Sequence, residues 1–177
     1  MTKRRTILET WQGDWLRVDK ERVELPNGHE IDIDIVKHPG AACIVPFTSD
    51  DEVLLIRQFR PATGGEILEF AAGKLEPGEL PEACALRELE EETGYRAGRI
   101  EHLSSIWTAP GFTDEVIHLY AAFDLESVGQ SLQEDEVIDL VPVHLAEALE
   151  LVFSGALNDA KSALALLIAA KRLGRLG

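Results

Sequence analysis

The sequence predicts an α/β (α+β) fold, a mixed sheet held between helices in a single domain. Three observations predict it. Ile31-Asp32-Ile33-Asp34-Ile35 alternates strictly, as a half-buried strand does. Ala41 to Phe47 is a continuous apolar run of the kind a central strand needs when both its faces are covered. Two segments, about 80–93 and 159–173, carry helical punctuation, and the second is apolar enough to pack on a sheet. Such a mixture buries its apolar faces as stacked layers, and 177 residues suffice for one core.

Taken in order, residues 11–38 read as β structure, with Pro26-Asn27-Gly28 as a turn between strands. Pro39-Gly40 punctuates the chain before the apolar run, whose end is expected at Pro46. Ser49-Asp50-Asp51 turns the chain back into a strand over 52–58, which leads to Arg57-Gln58-Phe59-Arg60-Pro61. A short strand over 66–70 precedes a glycine-rich loop. Beyond Gly94, strands are expected over 100–107, 116–123 and 137–143, with Pro110-Gly111 as a turn and 125–134 as a polar loop. Helices follow over 145–153 and 159–173, with Asn158 as N-cap and Gly155 and Gly174 as terminators. The expected organisation is N-terminal strands over 1–38, a core over 39–145 and C-terminal helices over 146–177.

The net charge of −15 argues against nucleic-acid backbone or an anionic membrane as partner. An anionic small substrate remains compatible if cations offset the field. Cys43 and Cys84 lie in apolar surroundings and read as reduced core thiols, which points to the cytoplasm. The first residues are basic but lack an apolar signal region, and the apolar stretch 163–170 is too short to span a bilayer.

The chemistry concentrates in 73–95, G-K-L-E-P-G-E-L-P-E-A-C-A-L-R-E-L-E-E-E-T-G-Y. Pro77-Gly78 fits the centre of a type II turn, Pro81 the first turn of a helix and Gly94 its C-terminal cap. At 3.6 residues per turn, Glu88, Glu91 and Glu92 fall within an arc of about 100°. Leu86 and Leu89, flanked by Ala83, face the other way, and Glu90 stands apart. Arg87, one turn before Glu91, is placed to hold it. Clustered carboxylates need solvent, raised pKa values or a cation to offset their repulsion. The helix is therefore either a solvated acidic face or a site for a hard cation such as Mg²⁺, Mn²⁺ or Ca²⁺.

The spacing of Gly73, Glu79, Arg87-Glu88-Leu89, Glu91-Glu92, Gly94 and Tyr95 resembles the Nudix box, G-x5-E-x7-R-E-U-x-E-E-x-G-U, where U is bulky and apolar. Every fixed position matches, and the one departure is an aromatic Tyr95 at an aliphatic packing position. The resemblance implies a Nudix-type α/β/α sandwich that hydrolyses a nucleoside diphosphate linked to another moiety, using Mg²⁺ or Mn²⁺, two or more per site. It implies Glu88, Glu92 and the carbonyl of Ala72 as metal ligands, with Glu91 assisting. Gly73, Glu79, Arg87 and Gly94 would be structural.

Pro110, sixteen residues after Gly94, and the surrounding A-P-G-F-T-D-E resemble the loop of the family's ADP-ribose pyrophosphatases, although Pro-Gly also suits a plain turn. In those enzymes a loop glutamate is the general base. Glu136, Glu134 and then Glu115 are the candidates here. Glu115 is also placed with Arg60 and Trp15 among the expected substrate contacts. Arg60 would grip phosphate or ribose, and Trp15 is either a base-stacking or a packing residue. Arg57 reads as turned to solvent, and His38 and His118 as structural. Similar enzymes are homodimers with exchanged N-terminal strands.

Overall fold

The computed structural model describes residues 4–133 and 136–176. They form two compact units, one of the N-terminal residues to Gly40 with Trp107–Val116, the other of Ala41–Ile106 with Ile117 to the C-terminal region.

The smaller unit is built on an antiparallel meander of β1 (Arg5–Gln12), β2 (Arg17–Glu24) and β3 (Glu30–Lys37). The turn between β2 and β3 is closed by Gly28, at φ 86°, whose N–H donates to Leu25 O at 2.9 Å. β1 is a strand that sequence patterning does not reveal. It is exposed along its whole length, and a bulge between Ile7 and Glu9 sets Ile7 beside Leu8 and breaks the period-two signal. Ile35 and Ile33 of β3 lie opposite Asp19 and Glu21 of β2, both buried and both ion-paired, to Arg17 and Arg5. The segment 107–116 is tied to β3 where Val36 N–H donates to Phe112 O and Asp114 N–H donates to Val36 O.

The larger unit has the three layers expected. Its sheet runs β10 (Ile138–His144), β5 (Glu52–Arg60), β4 (Ala41–Ser49), β9 (Val116–Ser127), β8 (Tyr95–Trp107), with β6 (Gly65–Glu69) on β5 and β7 (Ala72–Lys74) on β4. β4 and β9 are parallel, which makes the sheet mixed. Residues of β4 alternate between two cores. Ala41, Cys43, Val45 and Phe47 pack on one face with α2 (Leu145–Ser154) and α3 (Ala160–Arg172), while Ala42 and Ile44 pack on the other with Cys84, Ala85 and Leu89. Both cysteines are free and buried, and burial pushes each thiol up to about 12.

Pro46 does not end β4. The strand continues to Ser49 because the proline sits next to a register shift between Phe47 and Ser49, where the ladder to β5 is irregular. The cap of α3 is Asp159, not Asn158, and its carboxylate accepts from Ser162 N–H at 3.1 Å. On the acidic helix Ala83 is exposed, and the buried face is Cys84, Ala85 and Leu89 with Leu86 half-buried.

Candidate active site

The acidic segment is two structures joined end to end. Glu76 to Glu79 form a tight turn, with Gly78 at φ 81° and Glu79 N–H donating to Glu76 O at 2.9 Å. Helix α1 (Pro81–Glu88) then starts with proline in its first turn. It does not run on as α-helix to Thr93, because Leu89–Thr93 is a π turn closed by Gly94 at φ 73°. As at any helix end, the last carbonyls lack intrahelical donors and take partners from elsewhere. Leu89 O accepts from the Thr93 hydroxyl at 2.5 Å, Glu91 O from Ser131 N–H at 3.0 Å, Glu92 O from Gln130 Nε2 at 2.7 Å and Gly94 O from Val128 N–H at 2.8 Å. Gly94 has a second reason to be glycine, since a Cβ there would lie 2.6 Å from Gln130 N.

These turns sort the glutamates. Glu88 and Glu92 are buried side by side, one turn apart. Glu91 is half-exposed and Glu90 is turned away to pair with Arg96 at 3.0 Å. Burial, and next the charge of Glu88, raises the Glu92 carboxyl to about 8. Burial also raises Glu88, although Arg87 counteracts it. Glu136 adds repulsion to both, and it is the loop glutamate among the described residues that reaches the pair electrostatically. Its own carboxylate accepts from Gln133 N–H at 2.9 Å.

Arg87 organises the opposite side. Its Nε and Nη2 bond both oxygens of Glu79 at 2.9 and 3.1 Å, and its Nη1 donates to Glu88 at 2.6 Å and Glu91 at 3.1 Å. Glu79 is held down to about 2 by this grip. The Ala72 N–H donates to Glu92 Oε2 at 3.0 Å, and Gly73 passes so close to Glu88 that a Cβ would fall inside its carboxylate.

Among the described residues no three carboxylate, imidazole or thiol side chains are arranged as a ready cage for a metal ion. Glu88 and Glu91 instead share Arg87 Nη1, which holds their carboxylates close together, and the buried pair is Glu88 and Glu92. That pair still fits a divalent cation. It presents hard oxygens, is walled by glycine backbone, and leaves buried negative charge that its own contacts do not offset.

Arg60 lies at the end of β5 with its Nε on Glu69 at 2.7 Å, and Arg57 is exposed. Trp15 and Glu115 belong to the smaller unit. Trp15 is 58% exposed and meets His38 edge-on at 6.1 Å. Glu115 accepts from the Thr108 hydroxyl at 2.7 Å and stands 3.4 Å from His38 Nε2. Pro110 lines an apolar pocket of about 250 Å³ in that unit with Ile33, Ile35, Trp107 and Phe112. His118 shares the Ser105 hydroxyl with His102. Glu134 lies outside the described residues. Sequence patterning did not single out Thr93, Gln130 or Lys161, although a lysine opening an otherwise apolar helix after Asp159 is a readable signal.

A profile of the NUDIX domain matches residues 36–164. The chain belongs to the Nudix family. A Bacillus subtilis (strain 168) protein named ADP-ribose pyrophosphatase is 45% identical over 160 residues, 89% of this chain and 86% of that protein. A Bacillus methanolicus protein named methanol dehydrogenase activator is 41% identical over 159 residues, with the same shares. A GDP-mannose pyrophosphatase of Cronobacter sakazakii (strain ATCC BAA-894) is 38% identical over 137 residues, 72% of this chain and 71% of that protein. A crystal structure titled ADP compounds hydrolase superposes with a TM-score of 0.84 at 27% identity and covers 99% of both chains. Nudix hydrolases generally depend on divalent metal.

Proposed function

We propose that this Nudix hydrolase cleaves the diphosphate of ADP-ribose to AMP and ribose 5-phosphate. The observation that carries the reading is the buried pair Glu88 and Glu92 inside a complete Nudix box, in a chain 45% identical to an ADP-ribose pyrophosphatase. Glu88, Glu92 and the Ala72 carbonyl would hold Mg²⁺ or Mn²⁺, two or more ions, with Glu91 assisting. Bound there, such ions would supply charge that offsets the phosphates and polarises the bridging bond. Glu136, or in its place Glu134, takes a proton from the attacking water. Arg60 binds phosphate, and Trp15 and Glu115 contact the remainder of the substrate. Arg87 and Glu79 orient the glutamates from behind.

The same reading takes the chain as one Nudix hydrolase domain, a cytoplasmic homodimer with exchanged N-terminal strands and no nucleic-acid or membrane partner. None of the helices formed by the described residues is long and apolar enough to cross a membrane. The identity to a GDP-mannose pyrophosphatase favours one rival substrate, since the diphosphate and the metal-binding residues would be used alike. A panel of ADP-ribose, GDP-mannose, NADH and CoA with Mg²⁺ tests the proposal. Fastest turnover of ADP-ribose is expected. Negligible ADP-ribose turnover beside a faster alternative would replace the substrate, and no turnover at all would remove the hydrolytic reading.

A further inference from the structure

The carboxylate of Glu69, only 1% exposed, carries two cations at once. Its Oε1 accepts from Arg60 Nε at 2.7 Å, and its Oε2 accepts from Lys161 Nζ at 2.6 Å. Lys161 comes from the first turn of α3, has a side chain 14% exposed, and is held on its other side by Asp159 at 2.8 Å. Asp159 also accepts from the N–H and hydroxyl of Ser162, whose oxygen in turn accepts from Phe70 N–H at 2.8 Å. The helix start therefore grips Glu69 and Phe70 together. Two residues further on, Ala72 meets Glu92.

The pairing at Arg60 is unusual in one respect. An arginine and a carboxylate in free choice form a two-bond fork, in which Nε and one Nη address both oxygens. Lys161 bonds the second oxygen, and Arg60 addresses only the first, through Nε. Among the described residues neither Nη nitrogen of Arg60 has a hydrogen-bond partner, and the side chain is 38% exposed. The outcome is a guanidinium anchored along one edge and open along the other, at the end of a strand whose charge environment already includes Glu92.

We propose that Lys161 is a positioning residue that keeps Arg60 from closing on Glu69 and so holds the Nη edge of Arg60 open for a phosphate of the nucleoside diphosphate. The inference rests on the hydrolytic reading above. Without the lysine, Glu69 loses one of its two cations, and Arg60 turns to take both oxygens, withdrawing its open edge. A cation of any shape on Oε2 preserves the arrangement, and a neutral side chain does not.

The test compares Lys161→Met, Lys161→Arg, Arg60→Ala and the Arg60→Ala/Lys161→Met double variant. Lys161→Met is expected to raise KM for ADP-ribose about tenfold with kcat within about threefold, the loss of one charge-assisted contact. Lys161→Arg should stay within about twofold of wild type. In the Arg60→Ala background the lysine change should add almost nothing, because the group it positions is gone. A fall in kcat with KM unchanged, or a full additional loss on top of Arg60→Ala, would show that Lys161 only stabilises the fold and would overturn the proposal. Should Lys161→Met fail to fold, Lys161→Gln carries the same comparison. Turnover by wild-type protein tests the hydrolytic reading separately. The affinity of ADP, measured by calorimetry across the same variants, reports on Arg60 without any turnover.

Discussion

Gly73 lies against Glu88 so closely that no other residue fits between the strand and the carboxylate. Its φ is not in the left-handed region, so the requirement is one of space and not of backbone conformation. Gly73→Ala should displace Glu88 and lower kcat on the order of a hundredfold or more, since a site carboxylate moved by about 1 Å no longer matches the reacting geometry. Steady-state kinetics beside circular dichroism check this. A folded Gly73→Ala protein with near-normal kcat would mean that the close approach is dispensable.

The glutamates of the acidic segment should separate sharply by function. Glu92→Gln removes charge from the buried pair and is expected to cost on the order of a hundredfold or more in kcat. Glu90→Gln changes only a surface pair with Arg96 and should leave kcat within about twofold. Equal effects would contradict the sorting imposed by the π turn.

Glu92 gives stability a definite pH dependence. In metal-free protein its folded-state pKa is raised to about 8, while an ordinary glutamate titrates near 4.3. Between these values the folded state binds more protons than the unfolded state, so this group's contribution to stability falls as pH rises through that window. A divalent cation that binds the ionised pair offsets the loss. The rise in Tm on adding Mg²⁺ to EDTA-treated protein should therefore be larger at pH 8.5 than at pH 6.0. Thermal melts at both values measure it, and an equal rise would argue against Glu92 as a metal ligand.

Thr93 closes the π turn through its hydroxyl, which is buried and bonded to Leu89 O. Thr93→Val keeps the shape and removes one donor to the Leu89 carbonyl, at a cost of about 1 kcal/mol. Denaturant titration reads this directly, and an unchanged midpoint would mean that the turn has another closure.

Much of this architecture is legible because it rests on local signals. Pro77-Gly78, Pro81 and Gly94 occupy the turn, helix start and cap that their backbone preferences dictate. The apolar run in β4 declares a strand with two covered faces, and the charged spacing of the acidic segment declares its chemistry. What escapes a reading of the sequence depends on partners far along the chain. The π turn is stabilised by carbonyl bonds to residues 128–131, which no helical wheel contains. The pairing of Arg60 with Glu69 and Lys161 joins residues up to 92 positions apart. β1 carries no burial pattern at all, since its position is set by pairing with β2 and its faces stay exposed.

The tether between the π turn and the following loop separates two kinds of inheritance. Of the four bonds that hold residues 128–131 to Glu91, Glu92 and Gly94, three come from main-chain N–H groups and one from the Gln130 side chain. Main-chain anchors are indifferent to most side chains, so this loop can change its composition while its attachment to the acidic helix stays in place. Substitutions can then accumulate on the loop, residue by residue, while the placement of Glu88 and Glu92 is left as it was.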